Sequence, residues 1–256
     1  MPWRRRRKKI ATLRIHADAA GLLLLFLPGS KKDLVCYVPP GNRYPSTGRV
    51  AGPENQWDSD RDHIRDSEFC KRINKQTGFS VFSYRYDVGS APRKGEKVYV
   101  PHNWIRNVYA FARENKYERL YLVGFSGGGM VASSQLVYYR DDPIVKSLVV
   151  ISGDVAAGPD KPHRNAAFFA DQIRARTLLI YGDKDGDAVR GARVWKQQNP
   201  LADLKPYSGG HDFYDQFDLV TQEVVDFLMQ PAVAVRRLTG RAGKRRKGRS
   251  KKGVRF

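Results

Sequence analysis

Cysteine is nearly absent from this chain: Cys36 and Cys70 are the only two in 256 residues, and neither sits in a CxxC pair or a Cys/His cluster with metal-ligand spacing. Two thiols build no disulfide framework, so the sequence reads as that of a protein from a reducing compartment. Long apolar runs are also missing. The longest uncharged apolar stretch, Ala19 to Ser30, falls far short of the roughly 20 residues a membrane-crossing helix needs. The basic start resembles a signal-peptide n-region, but Arg14, His16 and Asp18 interrupt the apolar stretch that should come next, and no small-residue cleavage site comes after Leu22 to Leu27. The expectation is a cytoplasmic protein. Internal repeats are lacking, which argues against solenoids and propellers.

Acidic residues are missing locally rather than globally. The net charge of +20 comes from 46 basic and 26 acidic residues. Residues 1–10 hold six basic and no acidic side chains, and residues 232–256 hold eleven basic and none acidic, which leaves +3 for residues 11–231. The chain therefore divides into a basic tail (1–12), a nearly neutral body (13–231) and a second basic tail (232–256). The second tail is interleaved with Gly and Ser, has no aromatic before Phe256 for base stacking, and is expected to be disordered. Such a tail suits non-specific binding of nucleic acid or an anionic membrane surface by phosphate neutralisation, weakening steeply with salt; the alternative is a solvated extension with no partner.

The body has the material for a core, with 41% hydrophobic and 11% aromatic residues in the chain as a whole. Short apolar runs at Leu22 to Leu27 and Leu34 to Val38, separated by Pro28-Gly29-Ser30-Lys31-Lys32-Asp33, predict an N-terminal antiparallel hairpin. From Leu34 onward, strands alternate with helical stretches, the pattern of βαβ units in a largely parallel sheet. The strand candidates are Leu34 to Val38, Ser80 to Tyr86, Leu120 to Val123, Ser147 to Ile151, Thr177 to Tyr181 and a weaker one near Asp203 to Tyr207. Helical stretches are expected at Asp60 to Thr77, Pro101 to Tyr117, Gly128 to Tyr139, Asn165 to Arg174, Val189 to Gln198 and Phe213 to Met229, with Gly78 as a C′ glycine. Gly41 to Trp57, rich in Gly, Pro, Asn and Ser, predicts a long loop after a strand's carboxyl end, where α/β sheets commonly bind ligands.

Between the third of these helices and the strand before it lies Val123-Gly124-Phe125-Ser126-Gly127-Gly128-Gly129, a G-x-S-x-G in strand-to-helix context. A serine in so sharp a turn needs neighbours without side chains, which Gly124, Gly127 and Gly128 supply, and it would meet the partial positive charge of a helix N-terminus. Its hydroxyl needs a base, and the base an orienting acid. Downstream, Tyr181-Gly182-Asp183-Lys184-Asp185-Gly186-Asp187 supplies an acidic turn after a strand, and Tyr207-Ser208-Gly209-Gly210-His211 a histidine before the last helix. On the residues alone, Asp183 and Asp187 compete with Asp185, and a Gly-rich phosphate loop competes with a nucleophile. The alternating acids also suggest a calcium loop, but Ala188 holds the required glycine position and Val194 the bidentate glutamate position. Cys36, within an apolar strand, reads as a small buried hydrophobe.

These three features resemble the α/β-hydrolase superfamily over roughly residues 15 to 230. The resemblance implies an α/β fold with a mostly parallel central sheet and helices on both faces. It assigns Ser126 as nucleophile, His211 as base and, three residues after the glycine ending its strand, Asp185 as acid. It also implies an oxyanion hole from the backbone N–H of Gly127 and of Asn42, although the usual His-Gly of that turn is here Pro39-Pro40-Gly41-Asn42. The turn Asp87-Val88-Gly89-Ser90 is similar to the family's turn after its fourth strand. The implied activity is hydrolysis of small-molecule carboxylic esters through an acyl-enzyme, with no metal or cofactor. A peptidase or thioesterase using the same residues, or a nucleic-acid or anionic-surface binding protein acting through the tails, are the alternatives.

Overall fold

The computed structural model describes residues 22–39, 66–86, 108–138, 142–156 and 165–231. The tails, the 41–57 loop and the 87–90 turn lie outside the described residues. Seven strands form one sheet: β1 (Leu22–Leu27), β2 (Asp33–Val38), β3 (Ser80–Tyr86), β4 (Arg119–Phe125), β5 (Val145–Ile151), β6 (Arg176–Gly182) and β7 (Asp203–Tyr207), in the order β1-β3-β2-β4-β5-β6-β7. Every neighbouring pair is parallel except β1 with β3.

The hairpin expected from β1 and β2 is corrected here. β1 is antiparallel, but it pairs with β3, in register Leu22 with Tyr86 through Leu27 with Val81, and β3 separates it from β2. The connection is short enough to suggest a turn, yet it is held across the start of β3. Ser30 and Lys31 both donate backbone N–H groups to the Gly78 carbonyl at 3.0 and 3.2 Å, and the Gly29 N–H reaches Ser80 Oγ at 3.0 Å. A side chain at Gly29 would meet the Gly78 carbonyl oxygen at 2.4 Å, so glycine is required where the two segments cross. Asn74 completes the crossing: its Nδ2 donates to Pro28 O at 3.2 Å and Phe79 O at 2.7 Å. Asn74→Ala is expected to cost about 1 kcal/mol, the loss of one part-buried and one exposed hydrogen bond to backbone carbonyls, read as a lower urea midpoint.

Helices cover both faces. Along β2, wholly buried, Leu34, Cys36 and Val38 enter one core cluster and Val35 and Tyr37 the other, the two-residue period of a strand covered on both sides. The first cluster is closed by a helix over residues 108–114 (α2), by α3 (Gly127–Tyr138) and by α4 (Gly186–Gln198), whose Ala188, Ala192 and Trp195 follow helical spacing and are buried. The second is closed by α1 (Asp66–Thr77) through Phe69, Cys70 and Ile73, and by α5 (Phe217–Met229) through Phe217, Val220, Val224 and Phe227. Gly78 ends α1 in the left-handed region (φ +72°), its N–H bonded to Asn74 O at 2.9 Å, as expected of a C′ glycine.

Two stretches read as helices contain 3-10 turns. Ala166–Gln172 is a 3-10 segment without a side-chain N-cap, and Tyr214–Gln216 is one leading into α5; short segments with poor caps commonly wind this way. The weak strand candidate is real: Asp203–Tyr207 is a sheet edge, which tolerates its Pro206 and its polar residues. No helix among the described residues is long and apolar enough to cross a membrane.

Candidate active site

Chain connectivity reverses direction about β2, with β3 on one side and β4 on the other. The carboxyl ends of β2 and β4 therefore flank a topological switch point, the crevice where open α/β sheets bind ligands. Because β4, β6 and β7 are parallel, the loops after Phe125, Gly182 and Tyr207 open on this same edge of the sheet.

Ser126 is the single residue between β4 and α3. Its N–H continues the ladder to Ile151 O at 2.7 Å, while its carbonyl already accepts the Met130 N–H at 3.2 Å. Joining a strand to a helix in one residue forces a left-handed backbone, φ +51°, which a serine adopts only under strain. Neighbouring glycines make the turn passable. A Cβ on Gly124 would lie 2.4 Å from Gly128 O, and one on Gly128 would lie 2.0 Å from Val38 O.

The hydroxyl meets a histidine brought from the far end of the chain. His211 Nε2 lies 2.8 Å from Ser126 Oγ, and its Nδ1 lies 2.6 Å from Asp185 Oδ2. The imidazole is tilted against the buried Phe125 ring at a centroid distance of 5.6 Å, and Phe125 in turn meets Phe213. Asp185 uses its other oxygen as N-cap of α4, accepting from Ala188 N at 3.4 Å, so the carboxylate sits at a helix N-terminus that favours its charge. This carboxylate is about 10% exposed and the imidazole about 35%, so the carboxylate is the more sheltered of the two.

Of the residues singled out in the sequence, the structure joins Ser126, His211 and Asp185 in one hydrogen-bonded chain. Gly127 opens α3 directly after the serine, and Asn42 lies outside the described residues. Asp183 is engaged elsewhere: its Oδ1 accepts the Gly209 N–H at 2.9 Å. Cys36 is fully buried in β2, where desolvation pushes its thiol up to about 12, so it stays protonated at neutral pH.

Comparison with solved structures places this architecture. A monoacylglycerol lipase from Paleococcus ferrophilus superposes with a TM-score of 0.58 at 13% identity, covering 82% of this chain and 98% of that one. Est1E from Butyrivibrio proteoclasticus, in a structure with bound ferulic acid, gives 0.60 at 16% identity over 81% and 94%. An α/β serine hydrolase homologue from Coxiella burnetii gives 0.54 at 13% over 81% and 92%. The chain has the α/β-hydrolase fold. No family model and no curated protein matches its sequence.

Within this α/β-hydrolase frame, two features escaped the sequence reading. Ser152, directly after β5, also has a left-handed backbone (φ +45°), and its N–H bonds Ile180 O at 2.8 Å. Arg190, on the first turns of α4, binds Asp154 at 3.2 Å and Asp187 at 3.0 Å, pinning the loop after β5 to the helix that Asp185 caps. Nothing local marks the Ser152 contact with Ile180 or the Arg190 contact with Asp154, because each joins segments about 30 residues apart.

Proposed function

We propose that this chain is a serine hydrolase of small carboxylic esters, with Ser126, His211 and Asp185 as its catalytic residues and residues 13–231 as the catalytic domain. One observation carries the reading: a serine in a strained turn, within hydrogen-bond reach of a histidine whose other nitrogen is held by a carboxylate. Three residue types in that relation, from three loops on one sheet edge, have no structural need for one another. Ser126 Oγ attacks the ester carbonyl carbon as His211 Nε2 takes its proton, and Asp185 stabilises the imidazolium. The oxyanion is held by the N–H of Gly127 and, in this proposal, of Asn42. Collapse breaks the bond to the alcohol, which leaves with the proton from His211. Water, deprotonated by the same imidazole, then attacks the acyl-enzyme, and the carboxylic acid departs with Ser126 restored.

Esters are favoured over amides and thioesters because esterases and a lipase recur among proteins of this fold at comparable overlap, one of them with ferulic acid bound. Short and medium acyl groups are favoured over long ones. Between Ile151 and Arg176 the chain holds a 3-10 segment, Ala166–Gln172, and little length for a lid that would enclose a long acyl chain. A series of p-nitrophenyl esters from acetate to palmitate tests this: kcat/KM should peak at short to medium chains. A peak at palmitate overturns the size preference, and hydrolysis of none of them while aminoacyl amides are cleaved overturns the ester assignment.

A further inference from the structure

We infer that Asp183 is a positioning residue for His211, acting through the loop that carries the histidine. The inference rests on the triad reading above. His211 stands on the segment between β7 and α5, and that segment contains Gly209 at φ +132°, a conformation side chains rarely adopt and one that glycine enters and leaves at little cost. Such a backbone defines the position of a residue two places on only if something outside holds it.

Residues 183 and 184 provide that hold. The Asp183 N–H donates to Tyr207 O at 2.8 Å and the Lys184 N–H to Gly209 O at 2.8 Å, while Asp183 Oδ1 accepts the Gly209 N–H at 2.9 Å. Both sides of Gly209 are thus fixed to the turn that supplies Asp185. The two turns also approach closely, since a Cβ on Gly182 would fall 1.9 Å from Gly210 O. The acid and the base of the site are therefore held by one clamp, in which the Asp183 carboxylate is the side-chain member. Asp185, not Asp183, takes the imidazole, so Asp183 works through the Gly209 backbone and not on the reacting atoms.

What the clamp uses is an acceptor oxygen, which asparagine also offers and alanine does not. Two readouts on the full-length protein, taken well below its unfolding temperature, separate this role from others. One is the rate at which a fluorophosphonate labels Ser126; the other is the low-field proton resonance of the His211 Nδ1–H, assigned by its absence in His211→Ala. Asp183→Ala should slow labelling about ten-fold, the scale of effect expected when a catalytic group is misplaced, and should weaken or erase the resonance. Asp183→Asn should restore both to within about two-fold of wild type. Wild-type behaviour of Asp183→Ala overturns the inference. Equal impairment of the Asn and Ala variants also overturns it, because charge rather than an acceptor would then matter. If the wild type is not labelled, the triad reading fails, and the resonance alone decides: loss only in the Ala variant supports the clamp, and an unchanged signal overturns it.

Discussion

Ser126→Ala is expected to abolish labelling by a fluorophosphonate and to lower ester hydrolysis by about 10⁴- to 10⁶-fold, with His211→Ala close behind. In the labelling reaction Ser126 Oγ forms a bond to phosphorus, fluoride leaves, and the serine proton passes to His211 Nε2, 2.8 Å away. Without that imidazole the hydroxyl stays protonated and unreactive. Asp185→Asn should cost about 10⁴-fold in kcat while leaving the loop geometry intact, because an amide at this position favours the wrong imidazole tautomer. Losses of this kind act as a unit, so the double variant Ser126→Ala/His211→Ala should be little worse than either single one. Mass mapping of the adduct to Ser126, and its dependence on His211, is the direct measurement. An adduct on another serine, or equal labelling of His211→Ala, would exclude the mechanism even if the protein hydrolysed esters by some other route. All three single variants should keep the wild-type unfolding free energy to within about 1 kcal/mol, since none removes a core side chain.

Most of the sheet was legible because its strands are buried on both faces and so appear as uninterrupted apolar runs, as in Leu120 to Val123 or Leu148 to Ile151. The pairing of β1 was not legible. A short Pro-Gly connection between two apolar runs looks like a hairpin, and the strand that intervenes, Ser80–Tyr86, starts more than 40 residues later. Nothing within the connection reveals that Gly78 and Ser80 will hold it. The proposed nucleophile was legible for the opposite reason: the constraints on Ser126 are local, set by the turn it occupies and by the glycines on either side. The proposed acid was not. Asp183 and Asp185 are two residues apart in one turn, and composition gives no reason to prefer either; a family resemblance made the choice, and the two carboxylates differ in their contacts, one to Gly209 N and one to His211 Nδ1. What decides between them is the placement of the β7 to α5 loop, a long-range property of the sheet.

Gly128→Ala is the second change expected to have a large effect, and here helix propensity and packing give opposite signs. Gly128 lies in α3, where replacing glycine by alanine is by propensity alone worth a gain of about 1 kcal/mol. The alanine Cβ, however, would stand 2.0 Å from Val38 O and 2.4 Å from Pro39 O, backbone atoms at the end of β2, a strand paired on both sides. Val38 is held in the ladder to Gly124 of β4 and cannot yield as a side chain does, so the overlap should outweigh the propensity and destabilise by about 3 kcal/mol or more. Two other glycines calibrate the claim. At Gly129 an added Cβ would meet the Val150 Cγ1 at 2.9 Å and the Gly124 carbonyl oxygen at 3.1 Å, a milder overlap than at 128, and the expected cost is about 1–2 kcal/mol. At Gly186, on the first turn of α4, nothing lies within 4 Å, and Gly186→Ala should stabilise by about 0.5–1 kcal/mol. Urea midpoints of the three variants should therefore run from raised to lowered in the order 186, 129, 128. Activity should separate them further, because relief of the clash at 128 moves the N-terminus of α3, and Ser126 with it, away from the end of β2 where the second oxyanion donor is proposed. A Gly128→Ala protein as stable as wild type would show that α3 and β2 do not approach this closely, and with it the reason for a glycine two residues after Ser126 would fall.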